Sequence, residues 1–146
     1  MRVSDTLGFL SGGWHVERAL HDHRSGVQGR FTGSASVAPQ PGGLGMSYTE
    51  SGELRFGGHT GPATRRLALR PGAGGTAEVR FADGRFFYLL DLRPGRWEAE
   101  HDCGEDRYLL AHRVLSDDLL EERWRVRGPA KDYLAITRLQ RRPLSG

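Results

Sequence analysis

The sequence predicts an all-β protein, a single antiparallel up-and-down barrel of about 8–10 strands behind a short N-terminal helical turn. Three observations carry this. Short segments alternate polar and apolar residues with a period of two, the signature of strands with one buried face. Turn signals rich in Gly, Pro and Asp recur roughly every 8–14 residues. Glycine is abundant, 21 of 146 residues, hydrophobic residues make up only 37%, and no long amphipathic pattern of helical period appears. The length suits one domain over residues 1–146 with a sizeable core.

Ser4 or Asp5 can cap a helical turn over residues 6–10, which Gly12-Gly13 ends. The first strand, about 13–22, puts Trp14, Val16, Arg18, Leu20 and Asp22 on one face and His15, Glu17, Ala19 and His21 on the other. The apolar face should point inward, yet it carries an arginine and an aspartate, which are costly to bury unless paired or ligand-bound. The second strand, about 28–37, aligns Phe31, Gly33, Ala35 and Val37. The third, about 44–54, aligns Leu44, Tyr48, Glu50 and Leu54. Strands follow at about 63–70, 76–81 and 85–92, the last two joined by the hairpin signal Asp83-Gly84. Four more fall at about 96–103, 107–115, 119–127 and 132–141. The segment Leu119–Arg127 has helical propensity, but Glu122, Trp124 and Val126 alternate with three arginines, which favours a strand.

Charge and cysteine content narrow the function classes. The net charge is +3, and Lys131 is the sole lysine. The arginines are dispersed rather than clustered, unlike a nucleic-acid-binding patch. Arg65-Arg66 and Arg141-Arg142 read as surface charges. The one cysteine, Cys103, allows no internal disulfide, and no segment resembles a signal peptide or approaches the ~20 apolar residues of a membrane span. The expectation is a soluble cytoplasmic protein with a small-molecule partner, no nucleic-acid or membrane partner, and room for a homodimer.

Gly12-Gly13-Trp14 at the start of the first strand, after a helical turn, resembles the calycins, the superfamily of lipocalins and fatty-acid-binding proteins. In that superfamily the tryptophan closes one end of the barrel under a basic residue from the last strand. The resemblance implies a cation–π contact between Trp14 and Arg138, which is in phase with Leu134 and Ile136. More of the chain resembles a narrower group of small proteins classed only as a domain of unknown function. The runs carrying that likeness are Phe9-Leu-x-Gly-x-Trp14, Phe81-Ala-Asp-Gly-Arg-Phe-Phe87, His101-Asp-Cys-Gly-x-Asp106-x-Tyr108 and Trp124-Arg-Val-x-Gly-Pro-x-Lys-Asp-Tyr133. That likeness implies the fold and supplies no activity.

The inward faces converge on one interior. They bring Arg18 and Asp22 from the first strand, Tyr48 and Glu50 from the third, and Trp97, His101 and Cys103 from the seventh. Tyr108, His112, Glu122 and Trp124 complete the polar and aromatic set. Asp22 reads as a rim residue, and the others together with Trp14, Phe31 and Phe87 are the candidate ligand-binding residues. His101 and Cys103 share a face but stand about 7 Å apart along the strand, too far for a nucleophile and its base. The histidines, cysteine and acids match no standard zinc spacing, so neither metal nor cofactor is expected. Lys131 in the last turn reads as solvated rather than as a Schiff-base amine.

Three function classes follow. The first is a barrel binding a mainly hydrophobic or aromatic ligand whose polar or anionic group meets Arg18. The second is a cofactor-independent cyclase, isomerase or dehydratase, with His101 and Asp106 moving protons while Arg18 and Tyr48 stabilise an oxyanion. The third is a protein-interaction module with a filled core. Arg18 has a structural alternative, an internal ion pair with Asp22 or Glu50.

Overall fold

The first element, α1 (Thr6–Leu10), starts where Asp5 accepts a hydrogen bond from the Gly8 N–H at 2.8 Å. The cap satisfies a donor that the first helical turn leaves orphaned. The computed structural model describes residues 1–43 and 45–143. Ten strands follow among them: β1 (Gly12–Asp22), β2 (Gln28–Pro39), β3 (Met46–Phe56), β4 (His59–Pro71), β5 (Ala77–Phe81), β6 (Phe86–Leu90), β7 (Arg96–Cys103), β8 (Asp106–Ser116), β9 (Leu119–Arg127) and β10 (Asp132–Arg141). The expected start of the third strand at Leu44 lies outside the described residues.

Each strand pairs antiparallel with the next except β6 with β7, and β1 also pairs with β10, so the sheet runs β6-β5-β4-β3-β2-β1-β10-β9-β8-β7. The result is a nearly closed up-and-down barrel with one seam, between β6 and β7. Across the seam the Trp97 indole N–H donates to the Leu89 carbonyl at 2.7 Å. Closure removes most of the exposed sheet edge that would otherwise template aggregation.

The inward face follows the period-two pattern through β1, β2, β3, β7, β8 and β9, burying Trp14, Val16, Arg18, Phe31, Tyr48, Glu50, Leu110, His112, Leu120 and Glu122. Where β2 meets β3, Gly33 stands opposite Gly52. A side chain on either would collide with backbone of the other strand, and one on Gly52 would also meet the Phe31 ring. Glycine at both positions therefore permits the close approach and leaves room for Phe31 inside the barrel.

The last strand differs from expectation by one residue. Ala135, Thr137 and Leu139 point inward, while Arg138 is exposed and pairs with Glu121 at 3.3 Å. Both faces of β10 carry aliphatic residues, so its alternation is weak, and a slip of one position exchanges the faces. Arg138 therefore does not stack on Trp14. Arg141 does, because Trp14 lies opposite Arg141 in the β1–β10 ladder and the guanidinium sits 4.2 Å from the indole. Arg141 also donates to the carbonyls of Ser11 (3.0 Å), Phe9 (2.7 Å) and Asp117 (3.0 Å), which ties α1 and the β8–β9 turn to the barrel floor. The Trp14 N–H donates to the Leu10 carbonyl at 2.9 Å, so this end is closed with its polar groups matched.

Candidate functional site

The opposite end of the barrel is open and holds a cavity of about 450 Å³. Leu20, Phe31, Leu54, Phe56, Ala63 and Tyr133 supply apolar wall, with Lys131 and Asp22 also lining it. Arg18, Glu50 and Arg65 line it where it meets the core, brought there by the inward phases of β1, β3 and β4.

These charges form a network centred on Glu50. Arg18 donates to both carboxylate oxygens of Glu50, at 2.6 and 3.0 Å, and through Nε to the Thr137 hydroxyl at 2.7 Å. Tyr48 donates to Glu50 Oε1 at 2.5 Å, and Arg65 approaches the same oxygen at 3.8 Å. Burial alone would raise the Glu50 carboxyl, but the Arg18 hydrogen bond and the Arg65 and Arg18 charges outweigh it and hold it below the ordinary range. Tyr48 is pushed up by burial and by the neighbouring Glu50 and Glu122 carboxylates, so it stays a neutral donor. Burial opposes the charge on Arg18, and the hydrogen bond and charge of Glu50 more than restore it.

Arg65 stands between this cavity and a smaller, deeper chamber of about 40 Å³, and it lines both. Its guanidinium lies 4.5 Å from the Trp124 ring and 5.8 Å from that of Tyr48. The deeper chamber is lined by His112, Glu122 and Tyr88 among apolar neighbours. His112 Nε2 lies 3.4 Å from Glu122 and 3.2 Å from the Tyr88 hydroxyl. Burial pushes the Glu122 carboxyl up, but the His112 hydrogen bond and the charges of His112, Arg65 and Arg18 draw it down to about 2.

The family model of DUF6314, a family of unknown function, matches residues 10–141. The chain belongs to the DUF6314 family. A search of curated proteins returned no match. Among solved structures the chain is similar to an S-type phycobiliprotein lyase, CPES, from Guillardia theta, at 10% identity and TM-score 0.66, over 99% of this chain and 95% of that one. It is also similar to a de novo designed fluorescence-activating β-barrel, at 15% identity and TM-score 0.50, over 96% and 100% of the two chains. At these identities the likeness is one of fold.

In this DUF6314 member the candidate residues fall into separate groups. Arg18, Tyr48 and Glu50 come together as expected, and Phe31 lies against the same cavity, 5.3 Å from the Arg18 guanidinium. His112, Glu122 and Trp124 gather around Arg65 and the deeper chamber. Phe87 is buried beneath Tyr108 and Trp124, with His101 packed edge-on to it at 5.2 Å between ring centroids. Trp14 belongs to the closed floor, Trp97 to the seam, and Cys103 is a half-buried free thiol at the end of β7. Asp106 sits at the start of β8, 3.6 Å from Lys131, and no hydrogen bond joins it to His101 among the described residues. Asp22 does not pair with Arg18. Its carboxylate accepts from the Arg24 N–H at 3.0 Å and the Ser25 hydroxyl at 2.9 Å, which lowers its pKa and closes the β1–β2 turn.

Two arginines expected at the surface are half-buried. Arg141 covers Trp14, and Arg65 joins the two cavities. Arg66, next to Arg65, is exposed as expected. The signal for Arg65 is its phase with Ala63, Leu67 and Leu69, three inward positions of β4. Lys131 is half-exposed, but it lines the cavity and reaches the Tyr108 hydroxyl at 3.5 Å. Its ammonium is stabilised, first by the charge of Tyr108 and by that hydrogen bond, so the pKa rises, opposite to the direction a Schiff-base amine needs. Among the described residues no group of three or more His, Cys, Asp or Glu could hold a metal ion, and no helix is long and apolar enough to cross a membrane.

Proposed function

We propose that this barrel binds a small, mainly hydrophobic or aromatic molecule in the open cavity, with a polar or anionic group of the ligand at Arg65. The observation that carries this reading is a cavity of about 450 Å³ with apolar walls and a guanidinium at its inner end. Ligand sites are typically ~300–1,000 Å³, mostly apolar, with few convergent polar groups. Arg65 suits the polar contact better than Arg18, whose guanidinium already makes three hydrogen bonds to Glu50 and Thr137. The shared fold with a phycobiliprotein lyase and with a fluorescence-activating barrel is compatible with this role.

The test is a titration with 8-anilinonaphthalene-1-sulfonate, an aromatic anion, followed by its own fluorescence and by tryptophan quenching. One molecule should bind per chain. Arg65→Met should weaken binding about tenfold, the loss expected for one charge-assisted hydrogen bond. Absence of saturable binding, or equal affinity in the variant, would count against the reading.

A further inference from the structure

Two buried nitrogens lack a hydrogen-bond partner among the described residues, Arg65 Nε and His112 Nδ1. Both belong to side chains that line the same chamber of about 40 Å³. His112 is only 2% exposed. An unmatched buried polar atom is costly, so two on side chains that line one small space point to a shared partner. A space of this size takes a group about as large as a water or a hydroxyl.

The surrounding groups define what that partner must be. The Tyr48 hydroxyl is committed to Glu50, and the Tyr88 hydroxyl meets His112 Nε2. Glu122 Oε2 also faces Nε2, and an ionised carboxylate only accepts, so Nε2 carries the ring hydrogen. Where the ring is uncharged Nδ1 is then an acceptor, while Arg65 Nε can only donate. One donor and one acceptor at the same small space match a group that is both. A hydroxyl qualifies. A carboxylate offers acceptors alone, and a methyl offers neither.

We propose that the deeper chamber is a terminal subsite for an alcohol or phenol hydroxyl, which donates to His112 Nδ1 and accepts from Arg65 Nε. This rests on the reading of the open cavity as the ligand site. Because Arg65 lines both spaces, the body of the ligand occupies the larger cavity while its hydroxyl reaches past the guanidinium.

The test compares three probes of one shape, 2-naphthol, 2-methylnaphthalene and 2-naphthoate, at pH 8 by tryptophan quenching. The wild-type protein should bind 2-naphthol at least about tenfold more tightly than 2-methylnaphthalene, because a site with buried polar groups rejects an analogue that leaves them unpaired. His112→Phe should abolish that preference. As this variant also leaves Glu122 without its partner, the wild-type protein supplies a second readout. The ¹⁵N resonance of His112 Nδ1 should move when 2-naphthol is added, in the direction of an accepted hydrogen bond, and stay in place with 2-methylnaphthalene. Equal binding of 2-naphthol and 2-methylnaphthalene, tightest binding of 2-naphthoate, or a preference that survives His112→Phe would overturn the subsite and leave the larger cavity as the ligand site. If none of the three probes binds, the reading of the larger cavity falls and the subsite falls with it.

Discussion

The closed and open ends of the barrel both stack an arginine on a tryptophan, at 4.2 Å for Arg141 on Trp14 and 4.5 Å for Arg65 on Trp124. They differ in what the hydrogens of the guanidinium meet. Arg141 donates to the carbonyls of Phe9, Ser11 and Asp117. Arg65 has one carboxylate oxygen at 3.8 Å and an Nε with no partner among the described residues. Arg18, between them, has each of its three nitrogens bonded, to Glu50 and Thr137. The cation–π contact is common to both ends, so it does not separate structure from function. The unfilled donors do, because a site that must receive a ligand keeps hydrogen-bonding capacity that a structural contact uses up.

The largest expected effect tests that division. Glu50→Ala leaves Arg18 buried without its counter-charge, which should cost about 3–5 kcal/mol in urea denaturation. Arg65→Met keeps the stem that packs on Trp124 and removes a charge that makes no close hydrogen bond to Glu50, though it does act on Glu50 and Glu122, so it should cost less, about 1–2 kcal/mol. A loss in Arg65→Met equal to that in Glu50→Ala would make Arg65 a structural arginine and erase the contrast between the two ends.

How far the contrast was legible in the sequence depends on the element. The alternation of β1 was strong enough to place Arg18 inside, and the turn signals to place all ten strands. Arg18 meets Glu50, two strands away, because barrel curvature brings β1 and β3 side chains together, and no local pattern encodes that distance. Asp22 shares the inward phase of Arg18, but at the end of its strand it is captured by the N–H of its own turn. Arg65 was hidden by its neighbour: a pair of arginines reads as surface, although the phase with Leu67 and Leu69 sends one of them inward. His101 and Asp106 looked adjacent in sequence, yet His101 packs into an aromatic cluster and Asp106 faces Lys131.

The next effect is a pH dependence centred between the two ends. Glu122 titrates at about 2, against 4.5 for a free glutamate. The unfolded chain therefore binds more protons than the folded one as pH drops, and stability falls with it. The contribution of Glu122, about 3 kcal/mol, should be intact above pH 4.5 and lost as the pH falls from there towards 2. Glu50, Asp22, Asp83 and Asp91 also have lowered values and act in the same direction. Urea denaturation at pH 7, 5 and 3 should show a plateau and then a fall, and Glu122→Gln should flatten part of that fall. Equal stability at pH 5 and 3 would mean that the carboxylates of the inner network are not held in their charged form by folding.

The smallest effect sharpens the closed end. Arg141→Ala removes the stacking on Trp14, about 0.5–1 kcal/mol, and the donors that hold the carbonyls of Ser11, Phe9 and Asp117. A total of about 1–2 kcal/mol is expected. Arg138→Ala removes a half-exposed ion pair to Glu121 and should stay within about 0.5 kcal/mol of wild type. The pair of variants reads the register of β10 directly. Were Arg138 the costlier of the two, the strand would be paired one residue away, with Leu134 and Ile136 inside. Thr137 would then face outward and Arg18 would lose its contact there, so the same measurement would also leave the Nε of Arg18 as bare as that of Arg65.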